Sequence, residues 1–301
     1  MKMMFTLGVS AMLSCVSLPL ALQAQSGPTE LSVEEATKRI DLAARQRMLI
    51  ERMAKSVCFA ETDVHVWDNE LYMQGARVSF EIAHRGILEG DEKLGITGET
   101  DRNFRETWND LDLTWRTLDR IYDKFVEGED VTEQDMRNIM SLTETAHDHS
   151  DELVIQMRTN YAQFIGDNGF GNSILLDLYS KQKELLQELS KNVCLTAAGM
   201  DTDASLSNLN TNLSQFQASL DGFRSGMPNL GIPAPPTERI TIQLDRTNDR
   251  WEEIRAYAET IAAGEQLEAQ ELSDLEFGID QVLREVDRVV FLLVDHIRTN
   301  G

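Results

Sequence analysis

The feature that most limits the fold is an internal repeat. The segment RIDLAARQRMLIERMAKSVC, residues 39–58, recurs as LLDLYSKQKELLQELSKNVC, residues 175–194, at an offset of 136. Asp41 matches Asp177, Leu42 Leu178, Gln46 Gln182, Leu49 Leu185, Lys55 Lys191 and Cys58 Cys194. The offset then continues without a gap through Phe80 and Phe216, Gly90 and Gly226, Trp115 and Trp251, and Gly128 and Gly264. "LGI" at residues 94–96 meets "LGI" at 230–232. Chance does not hold one register over about ninety residues, so the chain is a duplication. Late in the unit the register slips, since "MRTN" at residue 157 and "IRTN" at residue 297 differ by 140.

Apolar residues at helical spacing, broken by Gly, Pro and Asp, predict four helices per unit. They run over 31–62, 64–89, 99–127 and 132–165 in the first unit. In the second they run over 173–198, 202–225, 236–263 and 267–299. Short loops between long amphipathic helices predict an all-α chain of two tandem up-down four-helix bundles, 31–165 and 173–300. The linker is "GDNGFGN", residues 166–172. It has the glycines of a phosphate loop but no strand before it and no Lys after it, and reads as a turn.

The first residues carry Lys2, an apolar run from Phe5 to Leu22 and then Gln-Ala-Gln. This pattern predicts a signal peptide, residues 1–24, with cleavage after Ala24. No later segment is long and apolar enough to span a bilayer. The expected location is the periplasm, where the two remaining cysteines, Cys58 and Cys194, can form a disulfide.

The chain has 28 basic against 51 acidic residues, a formal net charge of -23. That balance argues against nucleic acid and anionic membrane surfaces as partners, since both need a basic footprint. Yet residues 39–58 hold five Lys or Arg and only two acids. On a helical wheel Leu42, Leu49 and Met53 fall on one side, toward the bundle core. Arg47 lies away from them, among Ile40, Ala43, Ala54 and Cys58, a face of small and apolar residues with a single charge. Glu51 lies near enough to pair with it.

The Arg-Gln-Arg-Met core of "IDLAARQRMLIERMAK" (residues 40–55), with its trailing Arg-Met-Ala-Lys, resembles the N-terminal domain of type IV pili methyl-accepting chemotaxis proteins. That helical sensor module is itself similar to the periplasmic domain of nitrate/nitrite sensor kinases. The Gly-Ile turn and the third-helix Trp fit the likeness, which reads strongly in the first unit and in degraded form in the second. It implies a sensing module for a small anion such as nitrate or nitrite, acting through a membrane receptor or other periplasmic protein. By position in the motif the anion ligand is Arg47. The second unit departs from the pattern, with Lys183 for Arg47, Glu184 for Met48 and Glu188 for Arg52.

The duplication offers an internal partner for the Arg47 face. In an up-down bundle the fifth helix runs parallel to the first. A pseudo-twofold would set the equivalent faces together, with Arg47 near Lys183 and Cys58 near Cys194. This predicts a Cys58–Cys194 disulfide, with two unpaired buried thiols as the alternative. It also makes Arg47 and Lys183 a candidate anion seat, supported by Ala43, Glu51 and Ala54. The competing reading pairs both cations with local acids such as Glu51 and Glu184, and leaves a structural or protein-interaction module without a ligand.

Rival chemistry has less support. Glu81-x-x-His84 and Glu144-x-x-His147 match the order of a di-iron bundle. The apolar stripe of the fourth helix, however, puts Glu144 and His147 toward solvent. "HDH" at residues 147–149 with Asp151 offers metal-ligand types. No nucleophile elbow, nucleotide loop or zinc spacing occurs. The expectation is therefore a non-enzyme with no cofactor and no metal. Trp115 and Trp251 read as core anchors.

Overall fold

In the computed structural model, residues 31–165, 169–200, 202–230 and 232–300 are described. Eight long helices occur among them, in the predicted order: α1 Val33–Glu61, α2 Val66–Glu89, α3 Arg102–Val126, α4 Glu133–Tyr161, α5 Gly169–Ala197, α6 Thr202–Ser225, α7 Glu238–Ala262 and α8 Ala269–Asn300. The predicted signal peptide lies outside the described residues. Among the described residues no helix is long and apolar enough to cross a membrane.

The helices start where side chains satisfy their free N–H groups. Ser32, Asp101 and Thr237 accept from the backbone N–H of Glu35, Phe104 and Ile240. Thr132 forms a reciprocal capping box with Asp135. Two glycine pairs of the repeat sit at equivalent helix ends with left-handed backbone. Gly90 and Gly226 have φ of 88° and 78°, and Gly128 and Gly264 have 72° and 81°. At Gly90 a Cβ would lie 2.8 Å from the N of Gly98, and at Gly226 it would lie 2.8 Å from the N of Ala234. Those two targets are again 136 residues apart, so the same tight turn is built twice.

The turns also hold strand pairing that the sequence reading did not foresee. β1 (Gly90–Asp91) pairs antiparallel with β2 (Ile96–Thr97), with Asp91 opposite Ile96. The second half repeats this as a single bridge, Met227 to Ile232. The proposed linker differs too: α5 begins at Gly169, so residues 169–172 are helical rather than a turn.

In the first half α1 packs on α2 and α4, and α3 on α4; in the second, α5 packs on α6 and α8, and α7 on α6 and α8. The most extensive contact joins the halves, α1 against α5, and Leu31–Gly301 holds together as one compact unit. This central position corrects the simple wheel for α1. Twenty of its 29 residues are buried, so it has no exposed face to contrast with a core face. Leu49 and Met53 are core residues, whereas Leu42 is only partly buried. Trp115 and Trp251 are both buried, each against the repeated phenylalanine of its own half, Phe80 and Phe216.

Candidate functional site

The α1–α5 seam is closed at one end by a disulfide between Cys58 and Cys194, whose Cα atoms are 6.2 Å apart. Equivalent residues of the repeat therefore meet at equal height, which is how two parallel helices related by a pseudo-twofold must meet. Ala43, Glu51 and Ala54 are buried on the same helix.

Arg47 lies about three turns from the disulfide and is 3% exposed. Its Nη1 donates to Asp151 Oδ1 of α4 at 2.5 Å, and its Nη2 to Asp177 Oδ1 of α5 at 2.6 Å. Its Nε stands 3.2 Å from Glu184 Oε2 of α5, an ion pair outside hydrogen-bond alignment. Burial opposes the charged guanidinium, but Glu184, Asp177 and Asp151 outweigh it and keep Arg47 firmly protonated.

The same carboxylates hold further cations. Arg158 Nη1 donates to Asp177 Oδ2 at 2.5 Å. Lys181 Nζ is 3.0 Å from Glu184 Oε1 and 3.6 Å from Asp151 Oδ2. His147 Nε2 is 2.5 Å from Glu184 Oε1. Burial pushes the Glu184 carboxyl up, but the His147 bond and the charges of Arg47 and Lys181 hold it down at about 2. Burial likewise disfavours the His147 imidazolium, but Glu184 raises it to about 9. At neutral pH His147 is therefore protonated and donates. This corrects the expectation that it faces solvent. The outer side of α4, away from its own bundle, meets α5.

His147, Asp151 and Glu184 could place three ligand atoms within 4.8 Å of one another around a metal ion. Arg47 and Lys181 already neutralise those oxygens, so the trio is an ion-pair cluster. His84, the other histidine of the di-iron pattern, is buried. It stacks between Phe80 and Trp108, with Nε2 3.5 Å from Asp112.

The expected pairings therefore change partners. Glu51 does not bind Arg47, because Lys191 of α5 reaches it at 2.7 Å. Lys183 has an acid partner of its own. It pairs with Asp287 of α8 at 3.3 Å. Asp151 and Asp287 are themselves 136 apart, so Arg47–Asp151 and Lys183–Asp287 are one ion pair built twice. The repeat register thus holds into α8, up to the slip that precedes residues 157 and 297.

A second buried cation, Lys55, is fully enclosed and crosses the seam the other way. Its Nζ lies 2.7 Å from Glu276 Oε1 and 3.1 Å from Asp280 Oδ1, both on α8. His65 Nδ1 lies 2.8 Å from the other oxygen of Glu276. Arg39, 2% exposed, pairs with Glu35 and Glu99 and donates to Tyr161 Oη at 2.9 Å. The basic helix of an acidic chain is thereby explained: Arg39, Arg47 and Lys55 carry counter-charge into the centre of the protein. A cleft of about 630 Å³ opens elsewhere, between α6 and α7, beside Trp251, Gln217 and Arg255; Arg47 does not line it.

No curated protein matches the chain. One family model does, and its match falls from within α5 to early α8, the half in which the motif is weaker. The reading of two tandem family domains rests on the internal repeat alone. It is the family described as type IV pili methyl-accepting chemotaxis transducer N-term that residues 181–276 of this chain match.

Proposed function

We propose that the chain is an exported, non-catalytic helical module of the sensory type whose arginine seat is filled by its own carboxylates. It works in the periplasm by docking on other proteins, a membrane receptor among them, rather than by capturing a free anion. The observation behind this reading is that Arg47 already faces three carboxylates of the chain. A planar guanidinium offers five N–H donors, and three carboxylates already approach it at 2.5, 2.6 and 3.2 Å. An entering nitrate or nitrite would have to displace one of these carboxylates from Arg47.

The anion reading, with Arg47 and Lys183 as ligands, keeps one observation in its favour. Around Arg47 the cations Arg47, Arg158, Lys181 and His147 outnumber the carboxylates Asp151, Asp177 and Glu184. That local surplus sits inside a chain of net charge -23.

Thermal unfolding against nitrate, nitrite, sulfate, phosphate and small carboxylates, at fixed ionic strength, separates the two. A bound anion at a hundred times its Kd adds about 2.7 kcal/mol. The docking reading expects no anion-specific rise in the midpoint. A rise with one anion that Arg47→Ala abolishes would overturn it in favour of anion sensing.

A further inference from the structure

The outer face of α2 carries a stripe that the fold does not use. Trp67 is 70% exposed, Leu71 49%, Val78 54% and Ile82 47%. Their spacing puts all four within about a quarter of the helix circumference, over about 22 Å of axis. Gly75 completes the stripe at its middle. Glycine is a poor helix former, and a Cβ built at Gly75 meets nothing within 4 Å, so packing inside the chain gives no reason for it.

The repeat supplies an internal control. The buried residues of α2 recur in α6 in the same register, Phe80 as Phe216 and Met73 as Leu209. The stripe recurs as Asp203, Ser207, Thr211, Ser214 and Ala218, all exposed. A helix in this position therefore needs no apolar outer face, and only the first half has one. An exposed stripe of large apolar residues around a glycine is what a second helix docks on.

We infer that the occupant is α2 of a second copy of this chain, running antiparallel. Read backwards, the stripe nearly repeats itself: Ile82 falls on Trp67, Val78 on Leu71, and the two glycines meet at the crossing, where their lack of side chains lets the backbones close. Charge favours the same direction. The start of α2 is acidic, with Glu61, Asp63 and Asp68 exposed, while the exposed charges at its end, Arg85, Glu89, Glu92 and Lys93, balance. Antiparallel pairing sets Arg85 by the acidic end of its partner. Parallel pairing would stack the acidic ends. Since each chain carries a net charge of -23, the contact is apolar against a repulsive background, and added salt strengthens it.

Sedimentation equilibrium of the full chain, and of the chain lacking residues 1–24, tests this over a range of concentration and salt. Both forms are expected to reach twice the single-chain mass, more readily at high salt. Leu71→Glu and Gly75→Arg should return both to the single-chain mass with the thermal unfolding midpoint unchanged. In the shorter form Cys58 and Cys194 are bonded to each other, so Gly75→Cys introduces a lone free thiol. Oxidation should link two copies through it. A single-chain mass at every concentration would overturn the inference, as would a dimer that survives both substitutions. A dimer formed only by the shorter chain also overturns it, since residues 1–24 then compete for the stripe.

Discussion

His147 gives the sharpest prediction. Its Nε2 lies 2.5 Å from Glu184, and Glu184 and Lys181 of α5, Glu51 of α1 and Asp148 and Asp151 of its own helix surround it. Burial alone would lower its pKa, but the Glu184 bond outweighs burial and raises it from 6.5 to about 9. A folded pKa above the unfolded value gives stability that is complete below pH 6.5 and is lost as pH rises to about 9. At about 1.4 kcal/mol per unit, that shift corresponds to a ceiling of about 3.4 kcal/mol. The low pKa of Glu184 reports the same bond and is not added to it. Because the imidazole is 20% exposed, solvent screening brings the working figure to about 2–3 kcal/mol. His147→Gln keeps a hydrogen-bond donor near Glu184 but cannot titrate. Urea unfolding of both proteins at several pH values from 6.5 to about 9 should show the wild type losing its advantage over the variant across that window. Parallel pH profiles would mean that His147 is not a buried imidazolium and that the cluster is wrongly assigned.

Three further outcomes are expected. On the acid side, burial lowers the His84 pKa to about 4, so its contribution is present above pH 6.5 and is lost as pH falls to about 4; Glu184, near 2, extends that loss, and unfolding free energies should peak near pH 6.5. Replacing Cys58 and Cys194 with Ser together opens a crosslink spanning 136 residues and should cost up to about 5 kcal/mol by the chain-entropy relation, read as a fall in urea midpoint that reduction of the wild type reproduces. Lys55→Met leaves Glu276 and Asp280 buried without their cation and should cost about 3–5 kcal/mol in the same assay, most of it recovered when Glu276→Gln and Asp280→Asn are added.

The helices were legible because their signals are local. Apolar spacing, caps and turn glycines act within a few residues, and the repeat stated each of them twice. The partners of Arg47 were not legible. Asp151 and Asp177 lie 104 and 130 residues away, and with 51 acidic residues in the chain no local pattern selects them. One usable signal was present. Arg47 and Lys183 recur at the offset of 136, and so do Asp151 and Asp287. Opposite charges that repeat together are candidates for one ion pair built twice. His147 was misplaced for a different reason: the wheel treated α4 as the edge of a lone bundle, whereas α5 covers its outer side.

The seam explains why a basic helix can be buried in so acidic a protein. Two identical chains meeting along this helix would set Arg47 against its own copy, with the same residues on both sides of the axis. A duplicated chain is free of that constraint. At the position of Met48 the second half has Glu184, and at the position of His147 it has Leu283. The charges therefore collect on one side of the pseudo-twofold, where Glu184 and Asp177 face Arg47 with His147, Lys181 and Arg158 behind them. On the other side Lys183 has Asp287 and apolar neighbours in sequence register. Broken symmetry lets one side add Glu184 and His147 to the Asp151 pair that both halves share. The network couples Arg47 to α4 and α5 at once. An anion that did enter would therefore shift contacts between the halves rather than fill a passive cavity.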